Sequence, residues 1–209
     1  MISLDYIVLA LLWIAYCVVH SALISITVTD FLKRALGDHY RFYRLFFNIF
    51  SVTTIVPLLI YSHSARWKTQ LLFTWEGYMR IIQYGLMALG VILTITAARH
   101  YNMFQFLGIQ QVLKGRSGAA MTESGEFDSN GVLGIVRHPW YLAVFILLWA
   151  GDLTLANFII NVVLSGYLLI GTLLEERKLV LEFGEKYEAY QRRVSMLIPL
   201  KWLRSRLHM

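Results

Sequence analysis

Five apolar runs, at roughly residues 4–28, 43–61, 79–98, 132–151 and 154–174, constrain this chain more than anything else in it. A bilayer core about 30 Å thick is crossed by about 20 helical residues, and the first three runs and the last have that length. The fourth reaches it only by entering the bilayer ahead of Pro139. Gly151-Asp152 then breaks the chain, so 132–174 reads as a helical hairpin with its turn near 151–154. Residues are 57% apolar and 15% charged, whereas soluble domains carry about a quarter charged. That leaves too little polar surface for a water-soluble globule. The expected fold is all-α: a polytopic membrane bundle of five transmembrane helices, followed by a cytoplasmic amphipathic helix at the C-terminus. Residues 1–98 hold three spans, and 99–209 hold the loop, hairpin and tail of the functional core.

The basic residues set the expected orientation. Of the 19 lysines and arginines, only Arg66, Lys68 and Arg80 fall on the face reached after the second span. The others crowd the opposite face, which the positive-inside rule makes cytoplasmic. Five spans then place the N-terminus outside and the C-terminus in the cytoplasm, the membrane being the plasma or inner membrane if the chain is prokaryotic. A four-span chain would put the basic tail opposite the other basic loops. Asp5, Glu76 and Asp152 balance the three outer bases, so the net +6 faces the cytoplasm and suits anionic lipid headgroups rather than nucleic acid. The N-terminus lacks a basic stretch ahead of its apolar run and reads as a retained span. Cys17 is the single cysteine, which excludes an internal disulfide and a thiol-bound metal cluster. His39 and His63 fall on opposite faces, so no joint metal site with His20 is expected.

Two cytoplasmic segments are more than connectors. Loop 99–131 is long enough to be functional or disordered. In the tail, Leu179, Phe183, Tyr187, Tyr190 and Val194 step by three or four residues, which predicts one apolar helix face. Within the spans, His20-Ser21 is an intramembrane polar pair and therefore a functional candidate. Asn157 and Asn161 read as interhelical hydrogen bonds.

The stretch Arg137-His138-Pro139-Trp140-Tyr141 predicts a helix start, with His138 at the cap and Pro139 at the first helical position. Such a start offers free N–H groups and a positive dipole, which suit a carboxylate or phosphate. Glu175-Glu176 lies at the inner end of the fifth run. Counting along both arms of the hairpin places the two clusters at similar depth near the cytoplasmic interface. A basic helix start beside paired carboxylates suits a zwitterionic ligand with hydroxyls. The same residues could instead be a membrane anchor and a set of salt bridges, and spacing alone leaves both readings open.

Taken in order, Arg137-His138-Pro139, Tyr141, Glu175-Glu176, Phe183-Gly184, Tyr187, Tyr190, Arg193-Val194 and Pro199 resemble the isoprenylcysteine carboxyl methyltransferase and phospholipid methyltransferase superfamily. The resemblance covers about the last 80 residues. The N-terminal half, with His20-Ser21 and the run at 37–48, looks more like the NnrU-type and methanethiol-methylating branches. The resemblance implies an integral-membrane methyltransferase with S-adenosylmethionine as cofactor. It implies cofactor contacts from His138, Pro139, Tyr141, Glu175, Glu176 and Tyr187, and catalytic roles for Arg137 and Glu176. The implied acceptor is small or lipophilic: a thiol, a prenylcysteine carboxylate or a lipid. Span five lacks the arginine expected of enzymes that methylate a prenylcysteine carboxylate, and Val194-Ser195 stands where Val-Pro is common. The implied partners are membrane lipids, the cofactor and that acceptor. The alternative is a non-catalytic NnrU-like assembly or carrier protein.

Overall fold

The computed structural model describes residues 4–68, 70–100, 102–114 and 130–207. The polar run at 115–129, expected to be a functional or disordered loop, lies outside them. In chain order the helices begin with α1 (Leu4–Ile24), α2 (Ile26–Leu36) and α3 (Tyr43–Ser62). Strand β1 (Leu71–Phe73) precedes α4 (Met79–Ala98), α5 (Met103–Phe106), α6 (Ile109–Lys114) and α7 (Pro139–Trp149). Strand β2 (Leu153–Thr154) leads into α8 (Leu155–Phe183), α9 (Glu185–Arg193) and α10 (Leu200–Leu207).

Among the described residues, four helical stretches are long and apolar enough to cross a membrane: Leu4–Ile24, Ile26–Ser62, Met79–Ala98 and Leu155–Phe183. Their outer faces carry large apolar side chains that water would not tolerate, such as Ile60, Ile81 and Ile170 at 69%, 72% and 60% exposed. This is an integral membrane protein.

Two departures from the apolar runs have local causes. The first run ends at Ile24 because Ser25 caps a new helix, its hydroxyl accepting from the Val28 N–H at 3.3 Å. The segment expected to connect spans one and two is therefore mostly α2 and a 3-10 turn (Gly37–Phe42). The fourth run yields only 11 helical residues, Pro139–Trp149. Gly131–Gly134 is a 3-10 turn, and Val136 pairs with Ser195 in a parallel bridge. Pro139 also biases His138 away from helical geometry (φ −122°, ψ 66°).

The chain packs as two units. The first holds described residues up to 73, 102–114 and 153–164. Its core is Tyr6, Leu9 and Trp13 of α1 with Trp67, Ala156 and Ile160. The indole of Trp13 donates to Ser62 Oγ at 3.0 Å. β1 and β2 pair antiparallel, so the chain leaving α3 meets the chain entering α8. At the opposite end of α3, Arg44 Nε and Asn48 Nδ2 both donate to the Phe106 carbonyl at 3.1 Å. Gly108 follows at φ +87°, where an added Cβ would lie 2.6 Å from Leu45 N, so no side chain fits.

The second unit holds described residues 74–100, 130–152 and 165–207. Here α7 lies antiparallel along α4. Gln83 Nε2 donates to the Ala150 carbonyl at 3.1 Å, and a Cβ on Gly90 would stand 2.6 Å from Leu147 Cγ. The α7–α8 turn is fastened by Asp152 accepting from Trp75 N–H at 3.1 Å. Trp149 Nε1 donates to Ser165 Oγ at 3.0 Å. The apolar stripe of the tail does not form one continuous helix. Gly184, at φ +55°, separates α8 from α9, and Leu179, Tyr187, Tyr190 and Val194 close on each other as a small core.

Candidate functional site

The site is built where α7 begins. His138 caps that helix and Pro139 opens it, as the sequence predicts. Main-chain bonds fix the approach: Arg137 N–H donates to the Ser195 carbonyl at 2.9 Å, and His138 N–H to Met196 O at 3.1 Å. The two residues ahead of Pro139 are thus held in register with the tail beyond α9.

Glu176 on α8 is the centre of the cluster. Its Oε1 accepts from Arg137 Nε at 2.8 Å, His138 Nε2 at 2.7 Å and the Tyr187 hydroxyl at 2.9 Å. Its Oε2 accepts from Arg137 Nη2 at 2.7 Å and from Gln191 Nε2. The Arg137–Glu176 pair is bidentate, and each side chain is only 8% exposed. Arg137 Nη1 extends the network to the carbonyls of Gln191, at 3.2 Å, and Val194. Tyr190 donates to the Leu133 carbonyl at 2.6 Å. The result is a clamp that ties α9 to the entry of α7 and to α8.

The environment of the clamp is dry. Burial first, then the bond to Glu176 and its charge, push the Tyr187 hydroxyl well above its ordinary range. Tyr187 therefore donates and does not ionise at neutral pH. With both oxygens of Glu176 occupied, acceptor capacity toward a ligand falls to its neighbour. Glu175 Oε2 is shielded from solvent and accepts no hydrogen bond, though the side chain as a whole is 25% exposed. It lies 3.7 Å from His138 Nδ1, too far for a hydrogen bond. Because Glu176 accepts at Nε2, Nδ1 is the imidazole atom turned toward Glu175. The Tyr141 ring stacks obliquely on His138, with centroids 5.6 Å apart and planes tilted 30°.

Of the residues singled out by sequence, Arg137, His138, Glu175, Glu176 and Tyr187 are brought together directly. Tyr141 joins through the His138 ring, and Pro139 is buried at the helix start. Arg137 and Glu176, expected to act on substrate, are engaged with each other and with the tail. Sequence reasoning missed Gln191. Its signal was its place four residues after Tyr187 on α9, which puts both on one face. The carbonyls of Val194, Ser195 and Met196 carry no side-chain signal at all. Ser195 has a second role that the more usual proline could not fill, since its hydroxyl accepts from the Lys201 N–H at 3.0 Å at the start of α10. His100 packs beside the turn ahead of α7, where a Cβ on Gly131 would lie 3.4 Å from its Nε2. Among the described residues, no group of three His, Cys, Asp or Glu side chains could hold a metal.

Comparison with known proteins places this geometry in a family context. The family model described as NnrU protein matches residues 8–200. The methanethiol S-methyltransferase of Mycobacterium tuberculosis is 30% identical over 152 residues, covering 71% of this chain and 61% of that protein. Its counterpart in Pseudomonas deceptionensis is 37% identical over 112 residues, covering 53% and 42%. That of Crocosphaera subtropica is 36% identical over 121 residues, covering 57% and 47%. The chain spans about half the length of the curated relatives it matches. No solved structure matches it.

Proposed function

The chain belongs to the NnrU protein family, and on that premise we propose that it is an integral-membrane methyltransferase. Its methyl donor is S-adenosylmethionine, and its acceptor is small or lipophilic: a thiol first, with a prenylcysteine carboxylate or a lipid behind it. The observation that carries this reading is the name shared by the relatives that align over more than half of the chain, methanethiol S-methyltransferase.

The residues present fit the donor. A ligand ammonium or ribose hydroxyl would supply the hydrogen bond that buried Glu175 Oε2 lacks. The positive end of α7 suits a carboxylate. When bound, S-adenosylmethionine supplies a sulfonium methyl open to in-line displacement. This chain's residues need only position and exclude water. Glu175 accepts from the ligand, His138 and Tyr141 form the wall beside it, and Pro139 fixes where α7 starts. Arg137, Glu176 and Tyr187 are positioning residues. They hold the tail against the site and fill each other's hydrogen-bonding capacity.

The test is calorimetry with S-adenosylhomocysteine on the purified chain, followed by detection of dimethyl sulfide from methanethiol and S-adenosylmethionine. Glu175→Gln should weaken binding about ten-fold or more, the worth of a charge-assisted hydrogen bond. No binding by the parent chain sinks the reading. Unchanged affinity in both Glu175→Gln and His138→Ala moves the site elsewhere.

One observation favours a second reading, the non-catalytic assembly or carrier protein: protein donors alone fill the hydrogen-bonding capacity of Glu176. That reading predicts a partner protein in gentle-detergent pull-downs and no methyl transfer.

The topology belongs to the same proposal: five passes, the N-terminus outside, the C-terminus and the site cytoplasmic. Pairing of β1 with β2 supports it by setting the α3 exit and the α8 entry at one face. The chain from Gly131 to Ala150 runs beside α4 from His100 to Gln83, a length of about 26 Å at 1.5 Å per residue. The 11-residue α7 thus completes a pass together with the turn ahead of it.

A further inference from the structure

The intramembrane pair His20-Ser21 is not used by the clamp, and His20 lies on a different feature. Between α1 and α3, within the first unit, is a cleft of about 300 Å³. From α1 it is lined by Leu12, Ala15 and His20, and from α3 by Ser51, Thr54 and Leu58, with Tyr16, Val19 and Phe50 completing the wall. The helices run antiparallel, so the cleft has two chemically different ends. Leu12 faces Leu58 at one end. At the other, His20 Nδ1 and Ser51 Oγ share a hydrogen bond of 3.2 Å. The imidazole is held between the rings of Tyr16 and Phe47, at 5.7 and 4.9 Å.

Three properties define what would fill it. The rim is apolar and open, with Leu12 and Val19 about 43% and 45% exposed, on helices whose outer faces meet lipid. The length from Leu12 to His20 is about 12 Å along the helix axis. No Lys, Arg, Asp or Glu lies among the described residues that line it, so a charged head would be buried without a counter-ion. We infer that this cleft binds a neutral amphiphile from the bilayer, its hydrogen-bonding head at His20 and Ser51 and its hydrocarbon body reaching toward Leu12 and Leu58. The polar end lies on the side of the Ile24 and Tyr43 ends of the two helices, and the apolar end on the side of Ser62. A volume near the lower bound of ordinary ligand pockets selects a small molecule over a whole phospholipid.

The site is independent of the methyl-transfer reading and is tested without it. The full chain in phosphatidylcholine nanodiscs is photolabelled with 3-azioctanol, and adducts are mapped by mass spectrometry. Adducts should concentrate in 12–20 and 50–58 and should fall with excess 1-octanol far more than with octane. Ala15→Phe, at an exposed wall position, should abolish labelling there. Ser51→Ala should retain labelling and weaken octanol competition about five-fold, the worth of one neutral hydrogen bond. Adducts spread equally over lipid-facing residues such as Ile81 and Ile170, or octane competing as well as octanol, would overturn the site. So would no effect of either variant. S-adenosylhomocysteine binding should be unchanged in both variants, so failure here is separable from failure of the methyl-transfer reading.

Discussion

At the residue scale, Glu175 and Glu176 are chemically identical neighbours in opposite surroundings. One helical step turns a side chain by about 100°, enough to aim Glu176 into the clamp and leave Glu175 beside His138 Nδ1. Glu176→Gln would leave the Arg137 guanidinium buried and uncompensated, at a cost of about 3–5 kcal/mol. A clear fall in the thermal midpoint of the detergent-solubilised protein is the expected reading. Glu175→Gln removes a carboxylate oxygen that accepts no hydrogen bond and should cost far less stability than Glu176→Gln while impairing ligand binding, so the two variants separate stability from function. Tyr187 makes a pH prediction. Its hydroxyl is held above the usual range in the folded state, so above about pH 10 the unfolded chain binds fewer protons than the folded one. The stability that this proton represents is therefore present below pH 10 and declines as pH rises beyond it. Tyr187→Phe should flatten that alkaline decline, at a cost of about 1 kcal/mol from the lost hydrogen bond. Denaturation midpoints from pH 8 to 11 would show whether it does.

At the element scale, the tail is fastened by Arg137, by its own backbone, and by the side chains of Tyr187, Tyr190 and Gln191. Lysine cannot reproduce the planar fork of Arg137, so Arg137→Lys should loosen α9 while leaving α4 and α7 packed. The expected sign is faster tryptic cleavage at Arg192 or Arg193, with near-parental far-UV circular dichroism. Equal cleavage rates would mean that the main-chain bonds at Arg137 and His138 suffice. Much of this arrangement was legible in the sequence. Proline after a polar residue announced the start of α7, and arm lengths brought Arg137–His138 level with Glu175–Glu176. What could not be read was rotation about the helix axis, which decides between the two glutamates. Nor could the tail's contribution be read, because Val194, Ser195 and Met196 take part through carbonyls that every residue has. The turn at Gly184 was hidden too, since a stripe spaced by three and four residues looks the same whether the helix continues or folds back. The apolar run at 132–151 overstated α7 for a related reason. Hydropathy records that a segment avoids water and says nothing of whether it is helical.

At the scale of the whole molecule, the membrane class followed from composition, and the described helices agree with it. The fifth pass stays part of the proposal, because the 11-residue α7 falls outside the length criterion that the four long helical stretches meet. Reporter fusions give the check. Alkaline phosphatase should be active when fused near Lys68 and inactive after Arg99 or Arg193, and activity at the last position would remove one pass. Packing between α4 and α7 depends on Gly90, where a side chain would enter Leu147. Gly90→Leu should cost about 1–3 kcal/mol through overpacking and should appear as lost monodispersity on size exclusion. The clamp also has a consequence for biosynthesis. Arg137 is polymerised 57 residues ahead of Val194, one of its acceptors. At about 5–20 residues per second that interval is about 3–11 s. The carboxylate partner, Glu176, follows after 39 residues and the carbonyl partners only at the end of that interval, so the guanidinium lacks its full set of partners until α9 is made. Helices α7 and α8 are thus complete before the clamp can close, and a chain that stops in the final stretch holds Arg137 and Glu176 without the tail that closes around them.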